Sequence, residues 1–104
     1  MKVKIGCDII RIKRFKTIDK RVLSKLFHKS ELKNKKPESL AGIFAAKESC
    51  KKVFNDLDWH DITIKKQKNG KPVLMLNKKG IISHDISISH DGDYAIATAV
   101  FVLK

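Results

Sequence analysis

The sequence predicts an α+β domain: an antiparallel sheet of hairpins packed on one long central helix. Three observations carry this expectation. Leu40, Ile43, Phe44, Ala46, Cys50, Val53 and Phe54 recur at three- and four-residue steps, the period of a helix with one apolar face. Residues 61–66 and 72–77 flank Asn69-Gly70, a strong short hairpin signal. Residues 2–10 and 85–90 alternate in polarity, as strands do. At 104 residues the chain is expected to form one domain, 1–104. Strands and hairpins around a helix define the α+β class.

Taken in order, residues 2–10 read as a strand with Val3, Ile5, Cys7 and Ile9 on one face and Lys2, Lys4, Gly6 and Asp8 on the other. Gly6 then opens space beside the Asp8 carboxylate. Cys7 and Cys50 lack CxxC spacing and fall at apolar positions, so two buried free thiols are expected and a zinc site is not. Residues 11–35 read as short helical segments, with one stripe at Ile12, Phe15 and Ile18 and another at Val22, Leu23, Leu26 and Phe27. Ser30-Glu31 looks like the start of a further turn. Lys35-Lys36-Pro37 interrupts the pattern, and Pro37 suits the first turn of a helix running to about Phe54. Ile86, Ile88 and His90 share a strand face, with Ser87 and Ser89 opposite. The apolar run Tyr94 to Leu103 reads as a strand buried on both faces.

The formal charge is +12. Residues 11–36 hold eleven Lys/Arg and two acids, so +9 of it lies in about a quarter of the chain. Such a face implies an acidic partner. A basic nucleic-acid-binding domain is the competing reading. The aromatic residues argue against it, because they sit mostly at apolar-periodic positions and no nucleic-acid motif accompanies them. No apolar run approaches the ~18 residues of a membrane span. The N-terminus has no apolar signal core, so a cytoplasmic protein without a membrane partner is expected.

Three places hold groups suited to chemistry: Asp8 at a strand end, Glu48 with Lys52, and Ser89-His90. Glu48 and Lys52 are four apart and share a helix face. On a bland surface such a pair contributes a few tenths of a kcal/mol. Two carboxylates are too few for a calcium cage but suit Mg²⁺, which fills its octahedron with water and phosphate. There is no Walker loop, dinucleotide GxGxxG or GxSxG elbow.

These pieces resemble the holo-acyl-carrier-protein synthases, the small phosphopantetheinyl transferases. Ile5-Gly6-Cys7-Asp8-Ile9 resembles their G-x-D-[IL] opening, and Phe44-Ala45-Ala46-Lys47-Glu48 with Lys52 their F-[AS]-x-K-E-x-x-x-K helix. Gly70-Lys71-Pro72 is similar to their G-K-P hairpin. Ile86-Ser87-Ile88-Ser89-His90, followed by Tyr94-Ala95, resembles their [VI]-S-[IL]-[ST]-H strand. The four motifs occur in order over nearly the whole chain.

The resemblance implies a phosphopantetheinyl transferase-like fold. It also implies transfer of 4′-phosphopantetheine from coenzyme A to a serine of an acidic apo-acyl carrier protein in fatty acid biosynthesis, releasing 3′,5′-ADP. Asp8 and Glu48 would hold Mg²⁺, and with Lys52 would be the catalytic residues. Lys47, Lys52, Gly70, Lys71, Pro72, Ser89 and His90 would contact coenzyme A. Arg14 and Arg21 would dock the carrier, and a homotrimer would place each site at a subunit interface. Glu48, a Mg²⁺-bound water and His90 are the candidate proton acceptors. Ile43 departs from the family, which usually has arginine there, and Asn55-Asp56-Leu57-Asp58 replaces a glycine-rich turn.

Overall fold

The computed structural model describes residues 1–33 and 36–104. Lys35, part of the basic segment and of the interruption before the long helix, lies outside them. In chain order the elements begin with β1 (Lys2–Arg11), a 3₁₀ turn (Ile12–Phe15), α1 (Lys20–Leu26), α2 (Lys29–Leu32) and α3 (Pro37–Val53). A second 3₁₀ turn (Trp59–Asp61), β2 (Ile62–Lys66), β3 (Pro72–Leu76), β4 (Ile81–Asp91) and β5 (Tyr94–Leu103) follow. The strands divide into two antiparallel sheets, β1-β5-β4 and the β2–β3 hairpin.

Helix α3 begins with Pro37 in its first turn, where a missing N–H costs nothing, and every residue from Leu40 to Lys47 is buried, as are Ser49 and Cys50. It packs on β1 and β5 along one side and touches β2, β4 and the first 3₁₀ turn on others. The expected helix is present, but it is not an amphipathic helix with a broad solvated face. Among its charged residues after the first turn, Lys52 is exposed, Glu48 and Lys51 are half-buried, and Lys47 is buried. Aromatic rings fill the space beside α3: Phe44 stacks on Trp59 at 5.1 Å and meets Phe15 at 5.5 Å, and Phe15 meets Phe27 edge-on at 5.8 Å. Each buried ring stabilises the fold by about 2–3 kcal/mol.

The alternation of β1 is as expected, but its inward face is the other one. Val3, Ile5 and Ile9 are 68%, 69% and 59% exposed, and Cys7 is exposed with them. Gly6 and Ile10 face α3. The reason is the close approach of two backbones: a Cβ at Gly6 would lie 2.0 Å from Ser49 O. Gly6 therefore makes room for α3 itself. The expectation of two buried thiols holds only for Cys50, and burial pushes its thiol up to about 12. The expectation that β5 is buried on both faces is also corrected. Ala95, Ala97, Ala99 and Phe101 face α3 and are buried, while Tyr94 and Ile96 are exposed. Among the described residues, no helix is long and apolar enough to cross a membrane.

Gly6→Ala is expected to lower stability by about 3 kcal/mol, the upper range for forced overpacking, because Ser49 backbone cannot move without displacing α3. Chemical denaturation measures this; a loss below about 1 kcal/mol would contradict the close approach.

Candidate active site

Asp8 projects from β1 toward the C-terminal half of α3. Its Oδ1 is 3.1 Å from Lys52 Nζ, and the same ammonium donates to Cys7 O at 2.7 Å. Lys52 therefore turns to the strand, and no Glu48–Lys52 ion pair forms. The other oxygen, Asp8 Oδ2, is buried and has no hydrogen-bond partner among the described residues. Glu48 lies one turn before Lys52 on the same face, half-buried and without an ion pair among the described residues. A buried, unpartnered carboxylate oxygen costs free energy unless something else meets it. No third His, Cys, Asp or Glu joins this region to complete a protein cage among the described residues. Two carboxylates with one oxygen uncommitted fit Mg²⁺, whose remaining positions go to water and phosphate.

A second region forms where α3 meets the hairpin and β4. A cavity of about 240 Å³ is lined by Ser39, Gly42, Ile43, Ile64, Lys66, Gly70, Pro72, Ile88 and His90. Gly42 permits it: a Cβ there would lie 2.8 Å from Ile88 Cγ2 and 2.9 Å from His90 Nε2. His90 Nε2 is 2.8 Å from Glu38 O. A carbonyl only accepts, so Nε2 carries the hydrogen and Nδ1 is the acceptor of the neutral ring. Gly70 has φ +85°, which glycine adopts without strain, and Gly70 N donates to Gln67 O to close the hairpin. Ile43 is buried at this wall, so this side of the cavity is apolar.

Gly70, Pro72 and His90 thus line one cavity, and Ser89 and Lys71 do not line it. Ser89 shares another recess with His90, Ile9, Tyr94 and Ile96, and Lys71 shares a smaller one with Pro72, Gln67, Val73 and His84. Lys47 is corrected as a coenzyme contact. Its side chain has no exposed surface, and Nζ is 2.6 Å from Glu31 Oε1. Burial pulls its pKa down, and the hydrogen bond and charge of Glu31 pull it back up. Arg14 lies over the Phe44 ring at 5.4 Å with its side chain exposed; Arg21 is exposed on α1, whose N-terminus Asp19 caps.

Sequence reasoning missed two features. One is the Glu31–Lys47 contact, which joins residues sixteen apart in sequence. The other is a cleft of about 640 Å³ between the first 3₁₀ turn and the β4–β5 turn, lined among others by Arg11, Lys13, Lys16, Glu38, His90 and Asp93. The mixed charges of Arg11-Lys13-Lys16 and Asp91-Gly92-Asp93 were its only signal. Neither cavity includes Asp8, Glu48 or Lys52.

A model of the 4′-phosphopantetheinyl transferase superfamily matches residues 4–99. The holo-[acyl-carrier-protein] synthase of Sulfurovum sp. (strain NBC37-1) is 40% identical, with 93% of this chain and 94% of that protein covered. The synthase of Bacillus subtilis (strain 168) is 36% identical, with 92% of each covered. Among solved structures, Helicobacter pylori holo-[acyl-carrier-protein] synthase in complex with coenzyme A superposes with a TM-score of 0.85 at 36% identity, covering 95% of this chain and all of that one. The chain belongs to the 4′-phosphopantetheinyl transferase superfamily, as an enzyme among the holo-[acyl-carrier-protein] synthases.

Gly42→Ala is expected to destabilise by about 1 kcal/mol. The overpacking against Ile88 and His90 costs about 1–3 kcal/mol and outweighs the ~1 kcal/mol helix preference of alanine. The His90 ring resonances should shift with it in an NMR spectrum; unchanged resonances would mean that Gly42 does not set the His90 position.

Proposed function

We propose that this enzyme transfers 4′-phosphopantetheine from coenzyme A to a serine of an acidic apo-acyl carrier protein in the cytoplasm. The reaction depends on Mg²⁺, releases 3′,5′-ADP and serves fatty acid biosynthesis. The observation that carries the reading is the Asp8–Lys52 contact with Asp8 Oδ2 left buried and unpaired. The Helicobacter pylori relative, solved with coenzyme A, supports the same donor.

Asp8 and Glu48 would hold Mg²⁺, which when bound supplies positive charge to the pyrophosphate. Phosphoryl transfer rests mainly on positioning and charge neutralisation. Lys52, already oriented by Asp8 and Cys7 O, holds a pyrophosphate oxygen. Gly70, Pro72 and His90 receive the nucleotide end, and Lys71 adds charge at the hairpin tip. Arg14 and Arg21 stand on the basic segment that meets the carrier, whose acidic surface gives charge complementarity and fast encounter.

The working unit of this reading is a homotrimer with sites at subunit interfaces. Two observations support it. Among the described residues, the cavities lined by Gly70 and His90 include neither Asp8, Glu48 nor Lys52, and a site shared between copies would join the two groups. The β1–β5 face bearing Val3, Ile5, Ile9 and Ile96 is apolar and open, as an unpaired interface is. Ser89 borders this face, where a neighbouring copy would bring it toward a ligand.

Coenzyme A with Mg²⁺ should raise the melting temperature more than coenzyme A alone; no shift under either condition would overturn the reading. With an apo carrier, mass spectrometry should show one added phosphopantetheine. Asp8→Asn and Glu48→Gln should each slow that transfer by about 100-fold or more, equivalent to several kcal/mol of charge stabilisation. Analytical ultracentrifugation is expected to return three times the 11.8 kDa chain mass; a monomer that is fully active would remove the interface assignment.

A further inference from the structure

The most completely buried charges of the molecule have no role in the reaction as described. The side chains of Glu31 and Lys47 have no exposed surface, and their 2.6 Å contact is closed on every side. Lys47 Nζ also donates to Leu26 O at 2.9 Å and to Trp59 O at 3.1 Å. All three ammonium hydrogens therefore have acceptors. Glu31 Oε1 accepts from His28 N at 2.7 Å, and Oε2 accepts from Ile64 N at 2.8 Å. One buried pair thus ties α3 to the end of α1, to α2, to the turn at Trp59 and to β2.

Stability does not account for this arrangement. A buried ion pair is commonly no better than well-packed apolar side chains of the same volume, because desolvation cancels the attraction. What the pair adds is direction. On the sheet side α3 is held by the close approach of Ser49 to Gly6 and by the Ser49 Oγ bond to Ala97 O; the Glu31–Lys47 pair holds it to the elements on its other side. The pair's five hydrogen bonds of fixed geometry resist a roll of the helix away from that side. Lys47 immediately precedes Glu48, so fixing Lys47 fixes where the Glu48 carboxylate emerges relative to Asp8. The same bonds hold α1 by its C-terminal end at Leu26, about one and a half turns from Arg21, and β2, which leads into the Gly70 hairpin.

We propose that Glu31 and Lys47 are positioning residues. The pair sets the rotation of α3 so that Glu48 meets the ion opposite Asp8, and it holds the docking helix and the hairpin in register with it. The inference rests on the Mg²⁺-dependent transferase reading.

The test uses the full-length wild type, the double variant Glu31→Gln/Lys47→Met and the single variant Glu31→Asp. The double variant removes both charges without stranding either, and the single variant keeps both charges but shortens the acceptor arm. Mn²⁺ binding in the presence of coenzyme A is followed by EPR, beside thermal melting and steady-state transfer to an apo carrier. The double variant is expected to stay folded and bind Mn²⁺ at least tenfold more weakly, the usual cost of losing an orienting partner. Its kcat should fall more than its KM for the carrier rises, and added metal should restore part of the rate. Wild-type metal affinity and kcat in the folded double variant would overturn the proposal. Should the double variant not fold, wild-type values in folded Glu31→Asp would overturn it instead. A wild type that binds neither Mn²⁺ nor coenzyme A would overturn the transferase reading, an outcome distinct from either of these.

Discussion

Where α3 crosses β1, its backbone passes so close that Ser49 O occupies the place a Gly6 side chain would fill. With the hairpin and the first 3₁₀ turn also against it, α3 is enclosed over most of its length, and every polar group on it must find a partner inside. Ser49 Oγ donates to Ala45 O or Ala97 O, at 2.7 and 3.0 Å, which fastens α3 to β5. Lys47 is satisfied by a carboxylate and two carbonyls. Glu48 and Lys52 are among the charges of α3 left near the surface, with Glu38 and Lys51. Enclosure thus separates two successive residues: Lys47 is spent inside the fold, while Glu48 stays half-buried at its edge.

Much of this was legible in the residue order. The period of 40–54, Pro37 and the Asn69-Gly70 turn located α3 and the hairpin, because these signals are local. Asp8 and Lys52 were each recognisable, and their contact follows from β1 packing along α3. The direction of the β1 face was not legible. Alternation shows that a strand has two faces, but not which one the rest of the chain covers. Here the apolar face is outward, and glycine marks the inward one. The Glu31–Lys47 contact was hidden for another reason. Both residues sit among surface lysines in the sequence, and burial of a charge depends on partners brought together only by the fold. For the same reason the sequence pattern alone points Lys47, next to Glu48, toward a coenzyme contact, whereas the fold commits it to Glu31.

The first 3₁₀ turn and α1 show a different division of labour. Their apolar stripes lodge Ile12, Phe15 and Leu26 against the core, while their basic residues stay outside. Arg14 does both, with its guanidinium over the Phe44 ring, an arrangement that orients the charge while leaving it accessible. The proposed docking charge thus rests directly on the helix that carries Glu48 and Lys52.

The open apolar face of β1 and β5 has a consequence for how the protein persists in solution. In the proposed trimer, covering Val3, Ile5 and Ile9 would add hydrophobic stabilisation, and the folded population would obey mass action. Dilution would then act as a denaturant without changing any chemical condition. Abundance itself would become a determinant of half-life, because scarce chains would spend more time with that sheet open to proteases.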